Sequence, residues 1–427
     1  MNLARLLARR LENAGPIRIG LIGAGKFGSM FLAQVPSSPG LAIAGIADLS
    51  PGRARQACRA VGWEEARLEA TRFTDDALAL IGRPEIEIVV EATGNPLVGI
   101  RHARAAIAAG KHIVMVNVEA DALAGPLLAR EAEAAGVVYS LAYGDQPALI
   151  SELVDWARAA GFRVLAAGKG TKYLPAYHAS TPETVWEHYG LSPEQARAGG
   201  MNAKMFNSFL DGTKSAIEMA AVANATGLEA PADGLGFPPA AATELASVLR
   251  AATGEVEVVS SLQRNGEPVA GDLRWGVYVV FEAPGAYSAR CFGEYGIATD
   301  PSGTRAALYR PSHLIGLELG ISIISAVLRR EPTGAPERFG ADVIATAKKA
   351  LAAGTRLDGE GGSMVWGKLV PAKASLAQGG LPIGLASGLA LRRPVAAGRM
   401  LSWEDVVLDP AEETYCYRRR MEAAHAP

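Results

Sequence analysis

The chain has 427 residues, about half of them apolar, with 42 basic against 44 acidic side chains and a formal net charge of −2. That length exceeds one ordinary core and predicts two or three domains, while the balanced charge and the lack of a Lys/Arg run exclude a nucleic-acid or membrane-surface footprint. Three widely spaced cysteines, Cys58, Cys291 and Cys416, exclude a disulfide frame and a structural zinc site, and suit free thiols in a reducing, cytoplasmic setting.

The first stretch, MNLARLLARRLENAGP, carries arginines but no continuous apolar core. Leu3, Leu6, Leu7 and Leu11 recur at helical spacing, so an amphipathic helix is expected and not a signal peptide. Ile17 to Ile22 then reads as a buried strand that runs through Gly23, Gly25, Lys26, Phe27 and Gly28 into a helix pattern. A second strand follows and ends at Asp48, twenty residues past Gly28. A lone Gly-x-Gly-x-x-Gly is weak; between a strand and a helix, with an acid at this distance, it predicts a dinucleotide-binding fold. Gly23 permits the tight turn, Gly25 lets a pyrophosphate approach the backbone, and Gly28 lets helix and strand pack closely. Asp48 suits a ribose 2′-hydroxyl and therefore NAD. Arg53 and Arg55 suit a 2′-phosphate and therefore NADP, or are solvated helix charges, and the choice of cofactor stays open.

Strands and helices keep alternating through EIEIVVEATGNP, VGIRHARAAIAAG, KHIVMVNVEAD, PLLAREAEAAG and VVYSLAYGDQP. This predicts a doubly wound parallel sheet with ligands beyond the carboxyl ends of its strands. Thr93, Gly94, Asn95 and Pro96 would flank the nicotinamide side. Asn117, Glu119, Asp121, Tyr143, Gly144 and Asp145 would point toward substrate, with Asn117 also a cofactor contact and Asp121 alternatively a helix N-cap.

After Ile150 the pattern changes. FRVLAAGKGTKY reads as a strand followed by a Gly168-Lys169-Gly170 loop able to approach an anion, or as an ordinary turn. STPETVWEHYGLSPEQARAGG has a capping-box start at Ser180 or Thr181 and reads as a surface helical insertion. In FLDGTKSAIEMAAVANATG, Asp211, Lys214 and Glu218 share one helical face ahead of an Ala-rich core pattern. A lysine between two acids on a buried helix suits proton transfer in a dehydrogenase, with Lys214 as general acid/base and Asp211 setting its charge and position. DLRWGVYVVFEA alternates like a half-buried strand. ALYRPSHLIGLELGISIISAVL is read as a strand-to-helix joint where Arg310 and His313 could bind an anionic group. Its apolar part is too short to span a bilayer and contains Glu318. REPTGAPER is the best linker candidate. Beyond it, KKALAAGTRLDGE from Lys348 repeats as RRPVAAGRMLSWED from Arg392, 44 residues later, and predicts a small β-module before a polar, fraying tail.

GLIGAGKFG, EATGNP, GKHIVMVNVEAD, YSLAYGDQP, AGKG and above all DGTKSAIEMAAVANATGL followed by YRPSHL resemble the 1-deoxy-xylulose-5-phosphate reductoisomerase-like oxidoreductases, a branch related to homoserine dehydrogenases. The C-terminal repeat resembles the SAF or β-clip module. The resemblance covers nearly the whole chain. It implies an α/β architecture: a Rossmann domain over 1–150, an α+β catalytic domain over 151–335, an SAF-like β domain over 340–410 and a tail over 411–427. It also implies an NADPH-linked enzyme that rearranges and reduces a small phosphorylated ketose with Mg or Mn, as a homodimer or homotetramer. On this reading Lys214, Asp211 and Glu218 are catalytic. Lys169, Asn117, Glu119, Asp145, Arg310 and His313 bind substrate, and Glu119 and Asp145 are metal ligands. Two other readings are a homoserine-type dehydrogenase and a non-catalytic dinucleotide or sugar sensor.

Overall fold

A computed structural model describes residues 2–251 and 253–425. The chain forms two compact units. One comprises the residues up to Glu152 together with His313–Glu337, the other Leu153–Ser312 together with the residues from Arg338 on.

The first unit is built on β1 (Ile17–Ile22), β2 (Leu41–Ala47), β3 (Arg72–Thr74), β4 (Ile88–Glu91), β5 (His112–Met115) and β6 (Tyr139–Leu141). They form one sheet in the order β3-β2-β1-β4-β5-β6, with every pairing parallel. The order reverses at β1, so β1 and β4 splay their connections to opposite faces and leave a crevice at their carboxyl ends. The strands are near-continuous apolar runs because both faces are covered. The N-terminal helix, Leu3–Ala14, buries Leu3 and lays Leu6 and Leu7 on the same core, as its spacing predicts. Leu319, Ile323, Ile324 and Ala326 join that core too. The apolar run after His313 therefore completes the first unit rather than the second one. Among the described residues no helix is long and apolar enough to cross a membrane.

The second unit contains β7 (Arg163–Thr171), β8 (Glu255–Ser260), β9 (Val277–Glu282) and β10 (Arg305–Arg310) in the order β10-β9-β7-β8. Only β7 and β8 run parallel. β9 is not the half-buried strand its alternation predicts. It lies between β10 and β7, and Val277 through Phe281 are all fully buried. A hairpin of β11 (Ala341–Ala347) and β12 (Val365–Pro371) follows. Helix Thr213–Thr226 packs against β7 and β8 and also against β11 and β12. Of its residues only Lys214 is not buried. Burial on all sides explains its Ala-rich composition, because a helix enclosed this way needs small side chains and no polar face.

The expected β-module is thus continuous with the second unit, and its internal repeat has a structural meaning. Gly354 N donates to Leu391 O and Gly398 N to Ala347 O, both at 2.8 Å, and Leu351 and Val395 exchange both backbone bonds at 2.9 Å. Each pair is related to its counterpart by the 44-residue offset, so the repeats meet about a local two-fold axis at Leu351 and Val395.

Two further expectations are corrected. The capping box sits at Ser192 and Gln195, not at Ser180 or Thr181, whose region folds into turns. The insertion is not a surface feature, because Tyr177, Val185, Trp186, Ala196 and Leu210 form their own small core. The tail is helical over Glu413–His425, its last two residues lying outside the described ones. It is anchored by Arg418, which is fully buried between Asp342 and Glu422. A buried guanidinium is tolerated here because two carboxylates satisfy its donors.

Asp121 is not a helix N-cap. Asn117 caps helix Val118–Ala134 by accepting from Ala120 N. Asp121 lies one turn in, fully buried, with Oδ1 accepting from Tyr139 OH at 2.8 Å and Oδ2 without a hydrogen-bond partner among the described residues. Burial pushes its carboxyl up to about 7. A raised carboxyl favours the protonated fold, so its contribution is complete below the ordinary carboxylate range and is lost as pH rises through about 7. Asp121→Asn is expected to raise stability above neutrality by roughly 2 kcal/mol or more and to flatten the pH profile of denaturant midpoints between acid and neutral. Parallel profiles for variant and wild type would remove Asp121 as the titrating group.

Candidate functional site

The first unit offers a dinucleotide cradle. Gly23 adopts φ +94°, and a Cβ there would lie 2.7 Å from Ala92 O. A Cβ on Gly28 would lie 2.3 Å from Gly23 O, so this glycine sets the packing of helix Lys26–Gln34 on its own turn. Gly25 is different: nothing lies within 4 Å of the added carbon. Two glycines serve the fold, and the third keeps a clear approach to the helix N-terminus, where Lys26 is exposed and Phe27 half-buried. The loop thus fits a pyrophosphate.

Asp48 is more committed than its position at the end of β2 suggests. Oδ2 accepts from Ala24 N at 3.0 Å, and Oδ1 accepts from Ser50 N at 3.0 Å and from Arg53 Nη2 at 3.2 Å. Burial acts to raise its carboxyl, but the Ser50 and Ala24 amides and the Arg53 guanidinium hold it below the usual carboxylate range. Across the crevice, Asn117 Nδ2 donates to Asn95 O at 2.9 Å and to Thr93 Oγ1 at 3.4 Å. Thr93 Oγ1 donates to the wholly buried Glu91 at 2.6 Å. Asn95 Oδ1 caps helix Pro96–Ala108, and Gly94 takes φ +68° between them. These bonds fix the Thr93–Asn95 turn, one of whose anchors, Glu91, is a residue the sequence does not single out.

Among the described residues no group of three or more His, Cys, Asp or Glu side chains is arranged to hold a metal ion. Glu119 lies in the first turn of helix Val118–Ala134. The buried Asp145 accepts from Gln146 N at 2.8 Å through Oδ1.

In the second unit the three-charge stripe resolves differently from its helical spacing. Helix Ala203–Leu210 ends before Asp211, Gly212 takes φ +89°, and a new helix starts at Thr213. Asp211 therefore stands at the junction. Its Oδ1 accepts from Thr213 N at 2.9 Å, and its Oδ2 pairs with Lys348 Nζ at 2.7 Å. A partner that neutralises it, Lys348, comes from the β-module. Burial raises the Asp211 carboxyl, with Lys348 and the Thr213 amide acting against that shift. Lys348 also donates to Ser180 O and Gly362 O, each at 2.7 Å, so all three ammonium protons are used.

Glu218 pairs with Lys169. Lys169 is not in a loop but within β7, and it is buried. Its flanking glycines answer to the sheet: a Cβ on Gly168 would lie 1.7 Å from Glu257 O and one on Gly170 1.9 Å from Leu273 O. Lys214, partly exposed, projects from the helix between these two ion pairs in sequence. Arg310 closes β10 in the second unit, whereas His313 opens the segment of the first. The next helix starts only at Gly320, so neither residue stands at a helix N-terminus. Sequence reasoning noticed Lys348 only as part of a repeat. Its separation from Asp211, 137 residues, left no local signal.

Residues 144–319 match the family model described as oxidoreductase DRL, catalytic domain, and residues 17–116 match the oxidoreductase family, NAD-binding Rossmann fold. Among solved structures, an inositol dehydrogenase homolog from Azotobacter vinelandii is 23% identical over 39% of this chain and 45% of that one, with a TM-score of 0.29. The alignment thus spans less than half of that protein. A probable dehydrogenase from Thermotoga maritima is 16% identical over 74% and 90%, with a TM-score of 0.41. A putative oxidoreductase from Klebsiella pneumoniae is 17% identical over 75% and 88%, with a TM-score of 0.38. Comparison with curated proteins gave no match. Both matched models describe oxidoreductases, and the glycine cradle lies within the residues matched by the NAD-binding one.

Gly25→Ala should leave thermal stability unchanged and weaken NADH or NADPH binding, whereas Gly28→Ala should lower stability itself. Calorimetric titration beside thermal melts separates the two, and equal effects from both variants would refute the division of roles. Lys348→Met is expected to destabilise by about 3 kcal/mol because it strands a buried carboxylate. Adding Asp211→Asn should recover much of that loss in urea unfolding, and strictly additive losses would rule out direct coupling.

Proposed function

We propose that the protein interconverts a hydroxyl and a carbonyl on a small, sugar-like, phosphorylated substrate, with Lys214 as the general acid/base. The observation that carries this reading is the exposure pattern of helix Thr213–Thr226. Every residue is buried except Lys214, so one amine alone reaches out of an enclosed helix. Such a helix is a rigid mount. Its first turn is fixed by Asp211 and Lys348, and its second by the Glu218–Lys169 pair.

A dinucleotide held at the Gly23–Gly28 loop would supply or accept the hydride. In reduction Lys214 Nζ gives a proton to the carbonyl oxygen as charge develops there; in oxidation it takes the proton back. Glu218 and Lys169 neutralise each other beside it, which holds β7 against the helix without adding net charge. No step is assigned to a metal. The match over residues 144–319 supports the reductoisomerase-like substrate class, and the Rossmann match supports the cofactor. We read the cofactor as NADPH. Asp48 is already engaged by two amides and Arg53, while the exposed Arg53 guanidinium offers a partner for a 2′-phosphate.

NADPH oxidation in the presence of 1-deoxy-xylulose 5-phosphate, with homoserine and unphosphorylated sugars in parallel, tests the substrate class. Lys214→Ala is expected to lose about 10²- to 10⁴-fold in kcat with cofactor binding retained. Wild-type turnover in that variant would end the assignment of Lys214. Turnover confined to homoserine would replace the sugar reading with the amino-acid one.

A further inference from the structure

A cavity of about 250 Å³ opens in the second unit beside the start of helix Thr213–Thr226. Its wall includes His178, Gly212, Ala216, Phe237, Trp366 and Lys368. Gly212 is the N-cap of the helix, and Ala216 lies in its first turn. Lys214 and Glu218 each lie two residues, or about 200°, from Ala216 and share a different face. The cavity is therefore separate from the face that carries Lys214 and the Lys169–Glu218 pair.

The walls are held in place from several directions. His178 Nδ1 bonds Asp211 O at 2.7 Å, and since a carbonyl only accepts, Nδ1 carries the proton. Burial, with Lys348 and Lys368 nearby, lowers the pKa of the ring and favours its neutral form, in which Nε2 accepts from Tyr173 OH, 2.8 Å away. With both ring nitrogens engaged, His178 is fixed in place, and it stacks on Trp366 at 3.8 Å. Tyr173 in turn stacks on Phe237 at 3.9 Å. Phe237 has φ +47°, a left-handed conformation that a bulky L-residue rarely adopts. Glu257 sustains it by accepting from Gly236 N at 2.9 Å and from Phe237 N at 3.4 Å. Strained backbone kept by surrounding bonds is a mark of binding and catalytic sites.

The chemistry of the lining identifies the class of ligand. Trp366 and Phe237 offer flat apolar area for the face of a ring. Lys368 offers a cation, and Lys348 adds positive potential at His178. Asp233 at the exposed rim offers an acceptor for hydroxyls. The volume is below the roughly 300–1,000 Å³ of pockets for drug-sized ligands, which limits the occupant to a small metabolite. We propose that this cavity is a second, non-catalytic ligand site for a monosaccharide-sized, hydroxylated anion whose charged group pairs with Lys368. Its contact with Gly212, next to Asp211, places an occupant against the turn that sets the first residues of the Lys214 helix.

The test is binding by the full chain, read without turnover, so it is independent of the proposed reaction. Calorimetric titration without dinucleotide would compare glucuronate, gluconate, glucose 6-phosphate and neutral glucose. The expected result is saturable binding of at least one anionic sugar, no binding of glucose, and a loss of about tenfold or more in affinity in Lys368→Gln, whose charged hydrogen bond is gone. Lys214→Ala should leave that affinity unchanged. A preference for the phosphate over the carboxylates, or the reverse, would name the charged group. Absence of binding by every anion, equal binding of glucose, or affinity lost in Lys214→Ala but kept in Lys368→Gln would overturn the proposal.

Discussion

The second unit depends on one buried ammonium. Lys348 Nζ reaches the Asp211 carboxylate, Ser180 O and Gly362 O, and so ties three segments that are distant in sequence. In a low-dielectric interior each of these bonds is strong, but none is tolerable singly, because an ammonium with an unused proton or a carboxylate with no counter-ion carries a large desolvation penalty. The pair thus acts as a registration device: the β-module, the turn after Ser180 and the start of helix Thr213–Thr226 must all be correctly placed before the charge is satisfied.

That constraint explains how a helix of mostly small residues becomes a precise mount. Small side chains allow β7, β8, β11 and β12 all to approach it, and Thr213 Oγ1 accepts a bond from Gly367 N at 2.8 Å to lock the contact with β12. The two faces of its first turns then do different things. One projects Lys214 and engages Lys169 through Glu218; the other, at Gly212 and Ala216, borders the aromatic cavity. A side chain larger than alanine at 216 would occupy that cavity, so the sequence there is limited by space as well as by helix propensity.

The nucleotide-binding unit follows a different logic. Its loop is organised by steric exclusion: Gly23 and Gly28 are needed because backbone carbonyls stand where a Cβ would be, and Gly25 because nothing does. Asp48 links the loop to β2 by accepting from Ala24 N, so the acid that would meet a ribose also braces the cradle. Arg53 shares the carboxylate, and the local charge at the ribose end is closer to neutral than the lone acid suggests.

Much of the first unit was legible from the chain alone. Strand-helix alternation, the glycine spacing and Asp48 are local patterns, and local patterns reflect backbone geometry that the residues themselves impose. The helix carrying Lys214 and the 44-residue repeat were likewise visible in the sequence. What remained hidden depends on long-range packing. Spacing put Asp211 on a helical stripe, yet a left-handed glycine broke the helix and Lys348 claimed the acid. Gly168 and Gly170 looked like a loop because glycine serves turns and close strand contacts equally. β9 looked half-exposed because alternation records residue type, not what covers the second face. The sequence by itself determined most of the strands, the glycine cradle and the helix that carries Lys214. Only the tertiary structure decided which charges pair, since a buried ion must find its partner in space and neighbours in space leave no trace in spacing along the chain.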